Sequence, residues 1–222
     1  MSSLAAAVAA SAAVVAALHH IARVVIRTKY KRDDTRWCFV HAVANLIVVY
    51  TTHDVVADVR AHLALPERKF PIALAVALHV YHLLCYELSP ADRTHHLLFL
   101  PTIGIPGALY DWCNIGNVQL FFICGLPGAI LYATVVARRV FPAVRSAVSE
   151  PILSAGLNLG MRCPGVLAST AWLYWAFNSG LIEAPPFWVL LQCAVGSTNS
   201  IFYAYQAATR ALRVQSISPK SA

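Results

Sequence analysis

The residues best equipped for chemistry in this sequence are its histidines. His79 and His82 stand one helical turn apart inside an apolar run, and His95 and His96 form a pair in the next one. His41 stands in an earlier run with Asn45 four residues on, so both lie on one helical face. His19 and His20 close the first run, and Tyr81, Tyr86 and Glu87 accompany the His79–His82 pair. Imidazole transfers protons near neutral pH as a general base or acid, and it binds iron or zinc. Ionisable groups within apolar segments are costly and are functional candidates by default. His95, His96 and His41 are the candidate acid–base groups; His79, His82 and Asn45 are candidates for contacting substrate. The competing structural reading is hydrogen bonding between helices. The metal reading is weaker, because one HxxH and one isolated HH are too few boxes for a membrane desaturase or hydroxylase, so no metal site and no cofactor is assigned.

Two further polar groups accompany the histidines. Tyr110, Asp111, Asn114 and Asn117 flank a short turn and read as structural, with Asp111 as a capping or hydrogen-bonding residue. Near the C-terminus, Asn199, Tyr203 and Gln206 follow the i, i+4, i+7 spacing of one helical face. Together with Gln192, Ser197, Thr198 and Asn178 they either line a polar cavity or bridge helices by hydrogen bonds; the second reading is slightly favoured. Asn199 and Tyr203 join the substrate-binding candidates.

The elements that carry these residues are apolar. The chain of 222 residues is 59% hydrophobic and 12% charged, with a mean hydropathy of +0.61. A soluble domain carries roughly 25% charged residues, so an ordinary soluble enzyme and a disordered chain are both excluded. The expectation is an all-α, polytopic transmembrane bundle of one domain. A span needs about 20 mostly apolar residues, and seven segments meet or approach that, at 4–22, 37–57, 71–88, 94–112, 117–137, 165–182 and 187–208. Asp92 and Thr94 are the expected N-caps of the fourth. The stretch 140–157 reads as an interfacial amphipathic helix. No internal repeat is visible.

The net charge of +7 reads as topology rather than as nucleic-acid binding. Counted over alternate connections, fourteen Lys and Arg fall on one side, including Arg138, Arg139, Arg145 and Arg162; only Arg60, Arg68 and Lys69 fall on the other. By the positive-inside rule the N-terminus is outside or luminal and the C-terminus cytoplasmic. Seven of the nine histidines then occupy the cytoplasmic half. The first run lacks a positive n-region and is followed by basic residues, which favours a retained anchor over a cleaved signal peptide. Short spans and a weakly charged luminal side point to an endomembrane such as the endoplasmic reticulum. The six cysteines fall in or beside spans with no CxxC, and read as small packing residues.

Pro101, Gly104, Pro106 and Gly107 interrupt the fourth span, and Gly125, Pro127 and Gly128 the fifth. Such breaks free backbone carbonyls and mark either a transport path or close-packed kinks; a marked kink is expected at Gly125–Gly128. Seven spans raise familiar possibilities. A retinal protein needs a lysine in its last span, and Lys29, Lys31, Lys69 and Lys220 all lie outside spans. No Asp-Arg-Tyr or Asn-Pro-x-x-Tyr receptor motif occurs, and the duplicated three-span unit of sugar carriers is absent.

The basic stretch before Trp37, followed by Phe39-Val40-His41, resembles the Arg/Trp-rich approach and helical histidine of TLC-domain proteins, the family of the ceramide synthases. A span ending in Tyr81–Leu88, a short polar turn and then His95-His96 with an apolar run resembles the central TLC pattern. The resemblance covers roughly residues 30–210. It implies a protein that binds or modifies membrane lipid and, if it is an enzyme, one that transfers an acyl group from a thioester to an amine or hydroxyl. Ceramide synthases carry an acidic cluster after the next apolar span. Here Phe121–Tyr132 contains no Asp or Glu, and Asp111 is too close to His96. A standard ceramide synthase is therefore not expected. The partners implied are the bilayer and a lipid or acyl-thioester. The rival class is a non-enzymatic transporter, channel or scaffold with structural or pH-sensing histidines.

Overall fold

The computed structural model describes residues 2–27, 32–63 and 65–217. Lys29, Lys31 and Lys220 of the basic tally lie outside them. The described chain is helical throughout, without strands. Its helices are α1 (Ser2–Val25), α2 (Arg32–Ala57), α3 (Val59–His62), α4 (Lys69–Cys85), α5 (Pro90–Phe99), α6 (Ile105–Leu109), α7 (Ile115–Leu120), α8 (Leu126–Val140), α9 (Pro142–Ala147), α10 (Glu150–Leu157), α11 (Cys163–Asn178) and α12 (Pro186–Ile217). Three π-turns, Leu100–Gly104, Phe121–Gly125 and Asn158–Arg162, join α5 to α6, α7 to α8 and α10 to α11. The bundle thus consists of seven long rods. Three helical stretches are long and apolar enough to cross a membrane: Leu4–Val25, Arg32–Ala57 and Ile115–Val140. Leu84, Leu97, Leu109, Tyr205 and Leu212 point outward on the surface, as expected of a protein whose solvent is lipid.

Each π-turn has the same origin in sequence. A proline follows two residues after its end, at Pro106, Pro127 and Pro164. Proline lacks an N–H and its ring crowds the carbonyl four residues back. The ladder widens to meet this. Ile105 N–H bonds Leu100 O, Leu126 N–H bonds Phe121 O, and Cys163 N–H bonds Asn158 O, each reaching back five residues. Glycine follows every one of these prolines. At two of them close approach demands it: a Cβ on Gly165 would overlap the Phe122 ring, and one on Gly128 would overlap Asn45. The expected kink at Gly125–Gly128 is therefore a π-turn, and the motif is a recurring device that the sequence pattern alone does not expose.

Two boundaries differ from expectation. The sixth rod starts at Glu150, not near 165, because α10 runs through the π-turn into α11; only Pro142–Ala147 forms a separate short helix. Arg162 consequently lies inside a rod and drops out of the tally of connecting-segment charges. The cap of α5 is Ser89 rather than Asp92 or Thr94. Its hydroxyl accepts the Asp92 N–H at 3.1 Å and donates to the Asp92 carboxylate at 2.6 Å, while Pro90 opens the helix. Thr94 bonds back to Pro90 O from one turn further into the helix.

α2 is the central post, packed on α1, α4 and α8, while α12 lies against α10 and α11. Val15, Leu18 and Ala22 of α1 join Val40, Ala44 and Val48 of α2 and Leu74 and Leu78 of α4 in the main core. The first helix is thus an integral part of the packing. A smaller core of Trp112, Ile115, Leu173, Ala176 and Val189 fills the end where α6 turns into α7.

Candidate functional site

α2, α4 and α5 bring five histidines together. His79 and His82 project from one face of α4, and His95 and His96 come from adjacent positions of α5. His96 is central: its ring centroid lies 4.7 Å from that of His79, 4.8 Å from His82 and 5.4 Å from His95. His82 Nδ1 and His96 Nε2 are hydrogen-bonded at 2.6 Å. His79 Nδ1 bonds the Ala75 carbonyl at 2.7 Å, which puts its proton on that nitrogen and leaves Nε2 as an acceptor. His41 stacks on Tyr132 with centroids 4.1 Å apart. His82 stacks on Trp37 at 3.7 Å, and His79 on Phe99 at 4.1 Å. The aromatic wall continues through Tyr81 and Tyr86, and Tyr81 hydrogen-bonds His19.

His41, His79 and His95 face a cavity of about 270 Å³ that Asn45, Asn199 and Tyr203 also line. These are six of the eight site residues expected from sequence. The other two, His82 and His96, stand behind the wall and hold it from the back. On the lipid-facing side an open groove of about 690 Å³ runs between α5 and α12, walled by Leu98, Ala194, Val195 and Phe202. His95, Asn199, Tyr203 and Gln206 border both spaces, and the His95 ring meets the Tyr203 ring edge to face at 5.9 Å.

The C-terminal polar set divides. Asn199, Tyr203 and Gln206 line the cavity. Gln192 instead donates to Gln119 Oε1 at 2.9 Å, and Gln119 donates to Thr170 at 3.1 Å, forming an interhelical bridge. Asn178 is exposed and bonds its own helix at Tyr174 O; it has no part in the cavity. His53 and His62 lie away from the cluster and bond nearby carbonyls at Tyr50 and Asp58.

The sequence reading missed Ser154, Asn158 and Arg162. All three line the cavity, and Arg162 Nη1 donates to Asn158 Oδ1 at 2.8 Å. Their signal is a spacing of four, but it falls in a stretch whose sequence alone reads as an interfacial helix and a connecting segment.

Most of the buried polar atoms left without partners among the described residues belong to the cavity wall or to the histidines behind it. Eight buried side-chain N or O atoms among the described residues have no hydrogen-bond partner. Five of them surround this site: both ring nitrogens of His41, Nδ1 of His96, Nδ2 of Asn45 and Nε of Arg162. Buried polar atoms normally find partners, so such a concentration marks a place where another molecule completes the bonding. For a metal, the fitting set is His79, His95 and His96, whose donor atoms all lie within 4.8 Å of one another. The carbonyl of Ala75 behind His79 and the ring of His82 behind His96 are the kind of support that orients metal-bound imidazoles.

Compared with known proteins, the chain matches no family model, no curated protein and no solved structure.

Proposed function

We propose that this is a TLC-like integral membrane protein that modifies membrane lipid, with His95 as the reacting imidazole. The observation that carries this reading is the place of His95 on the border between a polar cavity and an apolar groove. A lipid whose chain lies along Leu98, Val195 and Phe202 presents its polar end to His95 and Tyr203. In acyl transfer the His95 imidazole takes the proton of a hydroxyl or amine as that atom attacks a thioester carbonyl. The C–S bond then breaks, and the imidazolium returns the proton to the departing sulfur. His96, hydrogen-bonded to His82, positions the cluster from behind, and His41 and Asn45 contact substrate from α2. Asp111, which accepts the Cys113 N–H at 2.9 Å, lies at the opposite end of the α5–α6 rod from this cluster and is structural. The seven rods act as seven spans of an endomembrane, with the N-terminus luminal, the C-terminus cytoplasmic and the histidines on the cytoplasmic side, as the basic residues indicate.

A transport path between the broken helices has less support. The space beside Gly107 is only about 10 Å³, about the minimum that one water needs.

The test is a comparison of whole-cell lipids by mass spectrometry from hosts expressing equal amounts of the wild type and of His95→Ala/His96→Ala. A lipid class that changes with the wild type and reverts with the variant is expected. Identical lipid profiles would overturn the proposal.

A second reading is favoured by the clustering of His79, His95 and His96 donor atoms: a zinc or iron ion held by three imidazoles with an open position toward the cavity. Metal content of the purified protein decides it. About one equivalent, lost on His79→Ala, supports the metal; an absence of stoichiometric metal after purification without chelators rejects it.

A further inference from the structure

The most unusual charge in the bundle is Arg162. It ends the π-turn Asn158–Arg162 and lines the same cavity as His95. Among the described residues its one hydrogen bond is to the neutral Asn158 amide oxygen. Its Nε is buried without a partner, and no carboxylate lies within 4 Å of it among the described residues; the ion pairs there involve Arg36, His62, Arg68 and Lys69. The side chain as a whole is half-buried, and a guanidinium drawn partly out of water with its Nε enclosed favours a partner. Among the described residues the sole acidic member of the cavity wall is Asp92, and its carboxylate already accepts the Ser89 hydroxyl. Arg210 at the wall adds a second cation. The cavity therefore carries excess positive charge and a guanidinium edge with no partner.

The local backbone is shaped to aim that charge. Ser154, Asn158 and Arg162 repeat every four residues. Residues four apart share a helical face, and across the π-turn, whose bond reaches back five residues, Arg162 still meets Asn158 at 2.8 Å. Single π-turns of this kind are frequent at functional sites.

We infer that Arg162 binds the phosphate of an amphiphilic ligand whose aliphatic chain occupies the groove between α5 and α12. Guanidinium meets phosphate oxygens in paired hydrogen bonds and stays charged when desolvated. The chain finds Leu98, Ala194, Val195 and Phe202, and the bond to be altered falls between these two anchors, beside His95 and Tyr203. This rests on the lipid-modifying reading above and names its substrate class. The phosphate has two possible sources, a phospholipid headgroup in the bilayer or the coenzyme A portion of an acyl-thioester. The chemistry at Arg162 is shared by both.

The experiment measures binding to the purified full chain in a non-ionic detergent, by native mass spectrometry and by shift of the unfolding midpoint. The probes are palmitoyl lysophosphatidic acid, palmitoyl-CoA, monopalmitin and inorganic phosphate, on the wild type, Arg162→Gln and Arg162→Lys. At least one phosphate-bearing amphiphile is expected to bind at least tenfold more tightly than monopalmitin, which has the same chain and no phosphate. That preference falls at least tenfold in Arg162→Gln and in part in Arg162→Lys. Preference for lysophosphatidic acid assigns the phosphate to a membrane lipid; preference for palmitoyl-CoA assigns it to the thioester. Inorganic phosphate alone is expected to bind weakly, because it lacks the chain. Without ligand, Arg162→Gln is expected to unfold no earlier than the wild type, since it removes a half-buried charge that no carboxylate among the described residues pairs with. Equal binding of monopalmitin and both phosphate probes, or unchanged selectivity in Arg162→Gln, would overturn the inference. Selective phosphate binding alongside unchanged cellular lipids would instead overturn the enzymatic reading and leave the phosphate site standing.

Discussion

Two buried polar clusters occupy opposite ends of α4 and of the α5–α6 rod, and they differ in how their atoms are satisfied. At the end away from the histidines, Asn114 is almost fully enclosed in a left-handed turn with φ 60°. Its amide nitrogen donates to the carbonyls of His62, Leu65 and Pro66, and its oxygen accepts from Arg68 N–H and the Asn117 amide. Glu67 accepts Lys69 at 2.7 Å and the Trp112 N–H at 2.9 Å, and Lys69 also bonds Tyr110 O. The histidine end has comparable burial and leaves five polar atoms without partners. Burial of polar groups is therefore not what separates site from scaffold in this molecule. Among the described residues the Asn114 cluster, a structural lock, leaves one such atom, Asn117 Oδ1, so it is the concentration of missing bonds that points to the histidine end as the place for a ligand.

Substitutions at each end sharpen that contrast. Asn114→Ala strips five hydrogen bonds and places alanine at positive φ. A loss of about 3–5 kcal/mol is expected, read as a lower midpoint in thermal unfolding of the detergent-solubilised protein. Gly165→Ala drives a methyl into the Phe122 ring where two rods cross, and about 1–3 kcal/mol should be lost in the same assay. If it is tolerated without loss, the close crossing is not a constraint.

The lock also predicts a pH dependence. Burial pushes the Glu67 carboxyl up to about 7, against the opposing pull of Lys69 and the Trp112 N–H. The folded state then holds this proton more tightly than the unfolded state, whose value is near 4.5. The contribution to stability is fully present below about pH 4.5 and is lost as pH rises through 7. Unfolding midpoints of the wild type should fall relative to Glu67→Gln between pH 5 and 8, by the equivalent of about 1–3 kcal/mol. Parallel pH profiles for the two proteins would contradict the burial of an ionising carboxyl.

The smallest effect is expected at the histidine end. His41→Leu removes two unpartnered ring nitrogens and retains bulk against Tyr132 and Trp37. Stability should stay within about 1 kcal/mol of the wild type or rise. A loss as large as that of Asn114→Ala would show that His41 is part of the scaffold.

The sequence exposed these regions unequally. The apolar rods and the His79–His82 and His95–His96 pairs were legible because helical spacing and intramembrane cost are local properties. The hydrogen bond between His82 and His96 was not, since nothing in either helix fixes the register between them. The Asn114 lock joins carbonyls about 50 positions away, and no periodic pattern records such a contact. Arg162 was hidden for a different reason: a basic residue followed by Cys-Pro-Gly resembles a connecting segment unless the π-turn is foreseen. Three X-Pro-Gly triplets, each seated just past a π-turn, are visible in retrospect at 105–107, 126–128 and 163–165.

The most direct measurement pairs lipid profile with unfolding midpoint for His95→Ala/His96→Ala, with Asn114→Ala alongside as the structural reference. The account predicts that the histidine variant lowers the midpoint less than Asn114→Ala does and loses its effect on cellular lipids. A midpoint lowered as far as that of Asn114→Ala, or a lipid profile unchanged from the wild type, would contradict it.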